Sequence, residues 1–107
     1  MGVESRSGVQ VTLTTGGVAY QLSALLAAID TNISTKFRRL QLQSDPSNGG
    51  TIVSVGDSSI STTRYGYKLQ AGDFGPAYQD GVPSFPTQDM WLMASASGAL
   101  VNVEGLA

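Results

Sequence analysis

Apolar and polar residues alternate with a period of two over several short stretches, the pattern of strands that bury one face and expose the other. Residues 9–13 alternate Val and Leu with Gln and Thr, residues 37–43 alternate Leu with Arg and Gln, and residues 100–103 alternate Val with Asn. Gly, Pro, Asn and Ser separate these stretches at short intervals, which is typical of strands joined by turns. Further strands are predicted at 51–55, 60–65, 67–69, 74–78 and 90–95.

The strand predicted at residues 90–95 is apolar on both faces. Trp91 and Met93 would lie on one face, and Leu92 and Ala94 on the other. A strand of this kind is covered on both sides, so it is expected in the middle of a sheet or at an interface.

One helix is predicted, over residues 24–29, where Ala and Leu are strong helix formers. Ser23 is the expected N-cap and Asp30 begins the segment that ends the helix. About two turns of helix do not persist alone, so this element must pack on the β core.

The densest turn signal lies between the second and third strands, at Asp45-Pro46-Ser47-Asn48-Gly49-Gly50. Pro46 presets φ for a turn, and Asn48 and Gly49 tolerate positive φ. Residues 79–88 contain Pro83 and Pro86 and are predicted to be an ordered surface loop.

These elements sum to seven or eight short antiparallel strands and one short helix. The expected fold class is therefore all-β, a small β-sandwich or jelly-roll-like domain. A chain of 107 residues has room for one such domain, so residues 1–107 are interpreted as a single domain with an N-terminal arm at 1–8.

Charge is scarce in this chain. Charged residues make up 13% of it, about half the usual share, and the net charge is −2. A nucleic-acid binder would carry a basic patch, so no nucleic-acid partner is expected. The longest apolar run, residues 24–29, is too short to span a bilayer, so no membrane partner is expected.

The chain has no Cys and no His. These absences remove the thiolate nucleophile, the commonest general base and the commonest metal ligands. The Asp residues sit mostly beside Gly, Pro, Ser or Asn, where Asp usually binds nearby backbone amides. We expect no enzyme activity, no cofactor and no metal site; a glycan hydrolase working through carboxylates alone is the remaining enzymatic alternative.

Two groups of residues are candidates for partner binding. Three of the six cations cluster at Lys36, Arg38 and Arg39, which would either dock on a partner or protect a strand end from edge-to-edge pairing. The amphipathic aromatic residues Tyr65, Tyr67, Tyr78 and Trp91 suit an interface as well as they suit a core, and Tyr78 and Trp91, with Phe85, are taken as partner-binding candidates.

Several of these strand and turn segments follow one another in a characteristic order along the chain. Residues 40–57 read LQLQSDPSNGGTIVSVGD, and residues 66–73 read GYKLQAGD. Residues 90–98 then read MWLMASASG and are followed by LVNV at 100–103. Over residues 37–104 the chain resembles small virion structural proteins of tailed bacteriophages.

That resemblance implies a non-enzymatic β module assembled into a phage particle in the bacterial cytoplasm. The expected function is capsid decoration: binding the major capsid protein shell and stabilising it, as a homo-oligomer with a trimer favoured. The alternative is a neck, tail or fibre part, either an adaptor or a module that binds a receptor or a carbohydrate. For that alternative the loop at 80–86 with Tyr78 and Phe85 would be the recognition element.

Overall fold

The computed structural model describes residues 6–29, 36–37, 39–75, 78–79, 85–86 and 90–106. One sheet, here called the front sheet, has four antiparallel strands. In order across the sheet they are β1 (Arg6–Leu13), β10 (Ala99–Leu106), β4 (Arg39–Ser44) and β7 (Tyr78–Gln79). The first and last described strands therefore pair with each other, β1 at the edge of the sheet and β10 beside it, with Val9 opposite Val103.

The second sheet, here called the back sheet, also has four antiparallel strands, in the order β2, β9, β5, β6. They are β2 (Tyr20–Gln21), β9 (Trp91–Ala94), β5 (Val53–Gly56) and β6 (Tyr67–Leu69). The strand with two apolar faces, β9, has a neighbour on each side, as its pattern predicts.

The inner faces of the two sheets bury one apolar core, which confirms the predicted all-β, sandwich-like fold class. The alternating Val and Leu side chains of β1, β4 and β10 meet those of β5, β6 and β9. Each fully buried side chain of this kind contributes about 1.5–3 kcal/mol to folding. The core consists of Val11, Leu13, Leu22, Leu26, Leu40, Leu42, Val53, Val55, Leu69, Leu92, Ala94, Ala99, Val101 and Val103.

Helix α1 (Leu22–Ile29) begins two residues before the predicted start and follows β2 directly. Ser23 lies inside it, so the predicted N-cap is wrong. The backbone N–H of Leu22 donates to the carbonyl of Met90, 2.8 Å away, so the residue before β9 satisfies one of the unpaired donors of the first turn. Leu22 and Leu26 lie one turn apart and are both buried in the core.

The predicted strand at 37–43 is divided in the structure. A two-residue strand, β3 (Lys36–Phe37), pairs with β8 (Phe85–Pro86), while β4 runs to Ser44. Part of the predicted loop at 79–88 is therefore strand, and residues 80–84 and 87–88 lie outside the described residues. The first strand is longer than predicted, since residues 6–8 of the predicted arm belong to β1.

The predicted strand at residues 60–65 is wrong. This segment forms turns and bends, because side chains occupy its backbone donors. Asp57 accepts a hydrogen bond from the N–H of Ser59, and the Ser61 hydroxyl accepts one from the N–H of Arg64. No donors at these positions are left for a neighbouring strand.

Candidate functional site

Strand pairing brings together the backbones of several residues predicted to bind a partner. Lys36 pairs with Pro86, the neighbouring Phe37 pairs with Phe85, and Arg39 pairs with Gln79. Tyr78 lies opposite Leu40 at the same end of β4. Arg38 lies outside the described residues. We call this end of the molecule, formed by β3, β8, β7 and the start of β4, the basic ribbon.

Trp91 does not belong to the basic ribbon. It begins β9 in the back sheet, opposite Gln21 on one side and Gly56 on the other. Leu92 and Ala94 point into the core, so alternation along the strand places Trp91 on the outer face, where its side chain is half-buried. Trp91 therefore lies in a different sheet from the other predicted residues that the structure describes.

The outer face of the front sheet holds a row of residues that the sequence analysis did not single out as a site. Gln10 lies opposite Asn102, Asn102 opposite Gln43, and Gln43 opposite Phe74 through an isolated bridge. Opposed residues of paired strands share one face, so three amides and one aromatic ring cross the sheet side by side. We call Gln10, Asn102 and Gln43 the amide row.

Hydrogen bonds join the amide row in one direction. Gln10 Nε2 donates to Asn102 Oδ1 at 3.0 Å, and Asn102 Nδ2 donates to Gln43 Oε1 at 3.0 Å. Gln43 Nε2 then donates to the carbonyl of Gly72 at 3.3 Å. A backbone carbonyl can only accept, so it fixes which way each amide faces.

Asp45 holds the other side of the amide row. Its Oδ1 accepts from Asn102 Nδ2 at 2.9 Å and from Gln10 Nε2 at 3.3 Å. Its Oδ2 accepts from both the hydroxyl and the N–H of Ser47. Hydrogen bonds from the Ser47 side chain, the Asn102 amide and the Ser47 N–H hold the pKa of Asp45 below its usual value.

The turn that carries Asp45 is a 3₁₀ helix at Pro46–Asn48, closed by Gly49 at φ 61°. Of the two residues in this turn that tolerate positive φ, Asn48 and Gly49, it is Gly49 that adopts it. Asn48 acts through its side chain instead: its amide donates to the carbonyl of Leu100 and accepts from the N–H of Leu100, at 2.8 and 2.9 Å. It also donates to the buried Ser44 hydroxyl.

A shallow groove of about 410 Å³ runs along the amide row. The Phe74 side chain borders it and is 62% exposed, more than any other large apolar side chain among the described residues. Gln41 and Glu104, opposed in the next cross-strand row, complete the polar lining. Among the described residues the groove therefore combines fixed amides, one carboxylate and one open aromatic ring.

Part of the outer face of the back sheet is covered by the chain itself. Ile60, Ser54 and Met93 are 7%, 7% and 6% exposed although all three lie outside the core between the sheets. The segment 57–66 lies against this face: Ile60 packs beside Gly56, and Thr62 shares a recess with Met93. Described side chains therefore cover much of this face.

The described Asp residues serve turns, as the sequence analysis predicts. Asp73 accepts from the N–H of Gln70, and Asp57 from the hydroxyl and N–H of Ser59. Hydrogen bonds from the Ser59 side chain and backbone, with the charge of Arg64, hold the pKa of Asp57 below its usual value.

Two kinds of feature are absent from the described part of the chain. No group of three or more Asp, Glu, His or Cys there is arranged to hold a metal ion. No helix formed by these residues has the length and apolar character to cross a membrane.

Comparison with known proteins leaves the family of this chain open. No protein-family model and no curated protein matches it.

Proposed function

We propose that this chain is a non-enzymatic structural protein of a tailed-bacteriophage virion that decorates the capsid by binding the major capsid protein. The observation that carries the proposal is that several charged side chains are taken up by contacts within the chain. Asp45, Asp57 and Asp73 accept hydrogen bonds from their own turns, and Arg64 pairs with Asp57. With charged residues at only 13% of the chain, a sandwich of this kind offers a mainly hydrogen-bonding surface, which suits assembly. The resemblance over residues 37–104 to small phage virion proteins points the same way.

We assign the contact with the shell to the basic ribbon. Its strands place Lys36, Arg39, Tyr78 and Phe85 within one small region, and Arg, Tyr and Phe are enriched at protein interfaces. A homo-oligomer, with a trimer favoured, would present several copies of the ribbon to a symmetric shell. Simultaneous contacts then give retention that one weak contact does not.

The test is reconstitution on capsids purified from a phage mutant that lacks this protein. Wild-type protein should co-sediment with the capsids and saturate at a fixed ratio to the major capsid protein. It should also raise the temperature at which the shells disassemble. Failure of the wild-type protein to bind these shells would overturn the assignment to capsid decoration.

A charge reversal then tests the placement on the basic ribbon. The double variant Lys36→Glu with Arg39→Glu should bind at least about tenfold more weakly, because it replaces interface cations with anions. Lys68→Glu is the matched control and should bind like wild type, since Lys68 lies on β6 of the back sheet and the ribbon contains no strand of that sheet. Equal binding by the double variant would overturn the placement while leaving decoration intact.

A further inference from the structure

We propose that the groove on the front sheet, formed by the amide row with Gln41, Glu104 and Phe74, is a binding site for an uncharged oligosaccharide. This site is separate from the basic ribbon and does not depend on where the chain lies in a virion. The groove and the ribbon are formed by different residues, so each can be tested without the other.

The polar side of the groove has the chemistry that sugar hydroxyls require. A hydroxyl both donates and accepts hydrogen bonds, and an amide offers two donors and an acceptor. Among bonds between described residues, the Oε1 atoms of Gln10 and Gln41 accept none, and Gln43 Nε2 uses one of its two hydrogens. The described bonds thus leave two acceptors and one donor for the hydroxyls of a ligand.

The apolar side of the groove is supplied by Phe74. A sugar ring presents C–H groups on its face and hydroxyls at its edge, so it can stack on an aromatic ring while bonding to neighbouring amides. Phe74 lies directly beside Gln43 in the cross-strand row. Three strands and the bridged segment at Phe74, spaced by about 4.8 Å, give a row of roughly 14 Å, a few sugar rings long.

The groove is also fixed before any ligand arrives. The amide row is held between two groups that can only accept, the Gly72 carbonyl and the Asp45 carboxylate. Gln41 is held by its own bond to the Gly75 carbonyl. Binding therefore costs little side-chain entropy, which is the usual obstacle for surface glutamines.

Charge decides which class of saccharide fits. Asp45, whose carboxylate holds the amide row, brings negative charge to this side of the groove, and the side chains that bond to it in the described part of the chain are neutral. A uronic-acid or sialic-acid chain would meet a like charge there. The occupant we infer is therefore a neutral glycan rather than an acidic one.

The experiment uses the full chain labelled with ¹⁵N and follows the side-chain amide resonances by NMR. The probes are three neutral hexasaccharides, those of β-1,4-glucose, α-1,4-glucose and β-1,4-N-acetylglucosamine, with a hexamer of galacturonic acid as the charge control. At least one neutral hexasaccharide should shift the resonances of Gln10, Gln41, Gln43 and Asn102 with a saturating titration. The galacturonic acid hexamer should shift them at least about tenfold more weakly.

Two variants locate the binding. Phe74→Ala should weaken binding at least about tenfold, and Phe74→Trp, which keeps a stacking surface, should restore it. Tyr65→Ala removes an aromatic ring that is 43% exposed, outside the groove lining, and should bind like wild type. Backbone spectra of all three variants report whether the fold is retained.

Three outcomes would overturn the proposal. The first is no shift of the four amides with any neutral hexasaccharide. The second is a saturating shift that Phe74→Ala leaves unchanged. The third is a shift of the same amides with protein concentration alone or on adding the major capsid protein, since the groove would then be a protein interface.

Discussion

The two outer faces of the sandwich differ in what covers them. On the back sheet the segment 57–66 lies across the face, so that Met93 and Ile60 are buried outside the main core. On the front sheet no described segment covers the groove, and Phe74 remains 62% exposed. One face adds to the stability of the fold, and the other keeps an ordered polar surface open. This contrast indicates where the protein can bind without unfolding anything.

The same kind of Asp–Ser turn has a different effect on each face. Each turn contains an Asp that accepts a hydrogen bond from the Ser two residues further along the chain. Asp57 bonds to Ser59, and Asp45 bonds to Ser47. The turn at Asp57 folds back over its own sheet. The turn at Asp45 directs its second carboxylate oxygen towards Gln10 and Asn102 and so orders the open face.

The largest expected effect comes from removing the side chain that the back face buries. Met93→Ala should lower the free energy of unfolding by about 2–4 kcal/mol, because it leaves a cavity under the segment 57–66. Urea denaturation followed by circular dichroism measures this. A loss below about 1 kcal/mol would mean that this segment does not seal the back face.

A second substitution tests the turn that supports the open face. Asn48→Ala removes three hydrogen bonds, two to Leu100 and one to Ser44, and should cost about 2–3 kcal/mol. Ser58→Ala, an exposed position in the opposite turn, is the control and should change stability by less than about 0.5 kcal/mol. Equal effects of the two variants would contradict the role given to Asn48.

A smaller effect follows from the lowered pKa of Asp45. Folding favours the carboxylate, so its stabilisation is present above the unfolded pKa of 3.8 and is lost as pH falls through the lower folded value. Asp45→Asn should therefore be less stable than wild type at pH 6, and the difference should shrink towards pH 2.5. Urea midpoints measured at several pH values report it, and a difference independent of pH would argue against an ionised Asp45 in the row.

The smallest effect is expected on the open face itself. Phe74→Ala should change the free energy of unfolding by less than about 0.5 kcal/mol, because most of the ring already contacts solvent. The difference between the free-energy losses of Met93→Ala and Phe74→Ala measures the contrast between the two faces. A cost comparable to that of Met93→Ala would show that the ring is part of the core.

Sequence patterns predicted the fold class well because alternation is a local property. The polar positions of β1, β4 and β10, including Gln10, Gln43 and Asn102, were all expected on the solvated side of strands. Their assembly into one row could not be predicted. Gln10 and Asn102 are 92 residues apart, and the pairing that joins them depends on strand order and register.

The errors in the prediction also have tertiary causes. Ser23 was predicted as the N-cap of helix α1, but the helix begins at Leu22, whose N–H donates to the carbonyl of Met90. Met90 is far from Leu22 in sequence, so the local pattern around Ser23 could not reveal this contact. Phe37 and Phe85 pair across a distance in sequence that no local pattern reveals. The partner-binding role of the basic ribbon remains a prediction.

The most direct measurement of the proposed function is the copy number of this polypeptide relative to the major capsid protein in purified particles, by quantitative mass spectrometry. Capsid decoration predicts a ratio between about one-third and one, since binding follows the symmetry of the whole shell. Absence from the particles, or a ratio of a few per cent as expected for a neck, tail or fibre part, would contradict it.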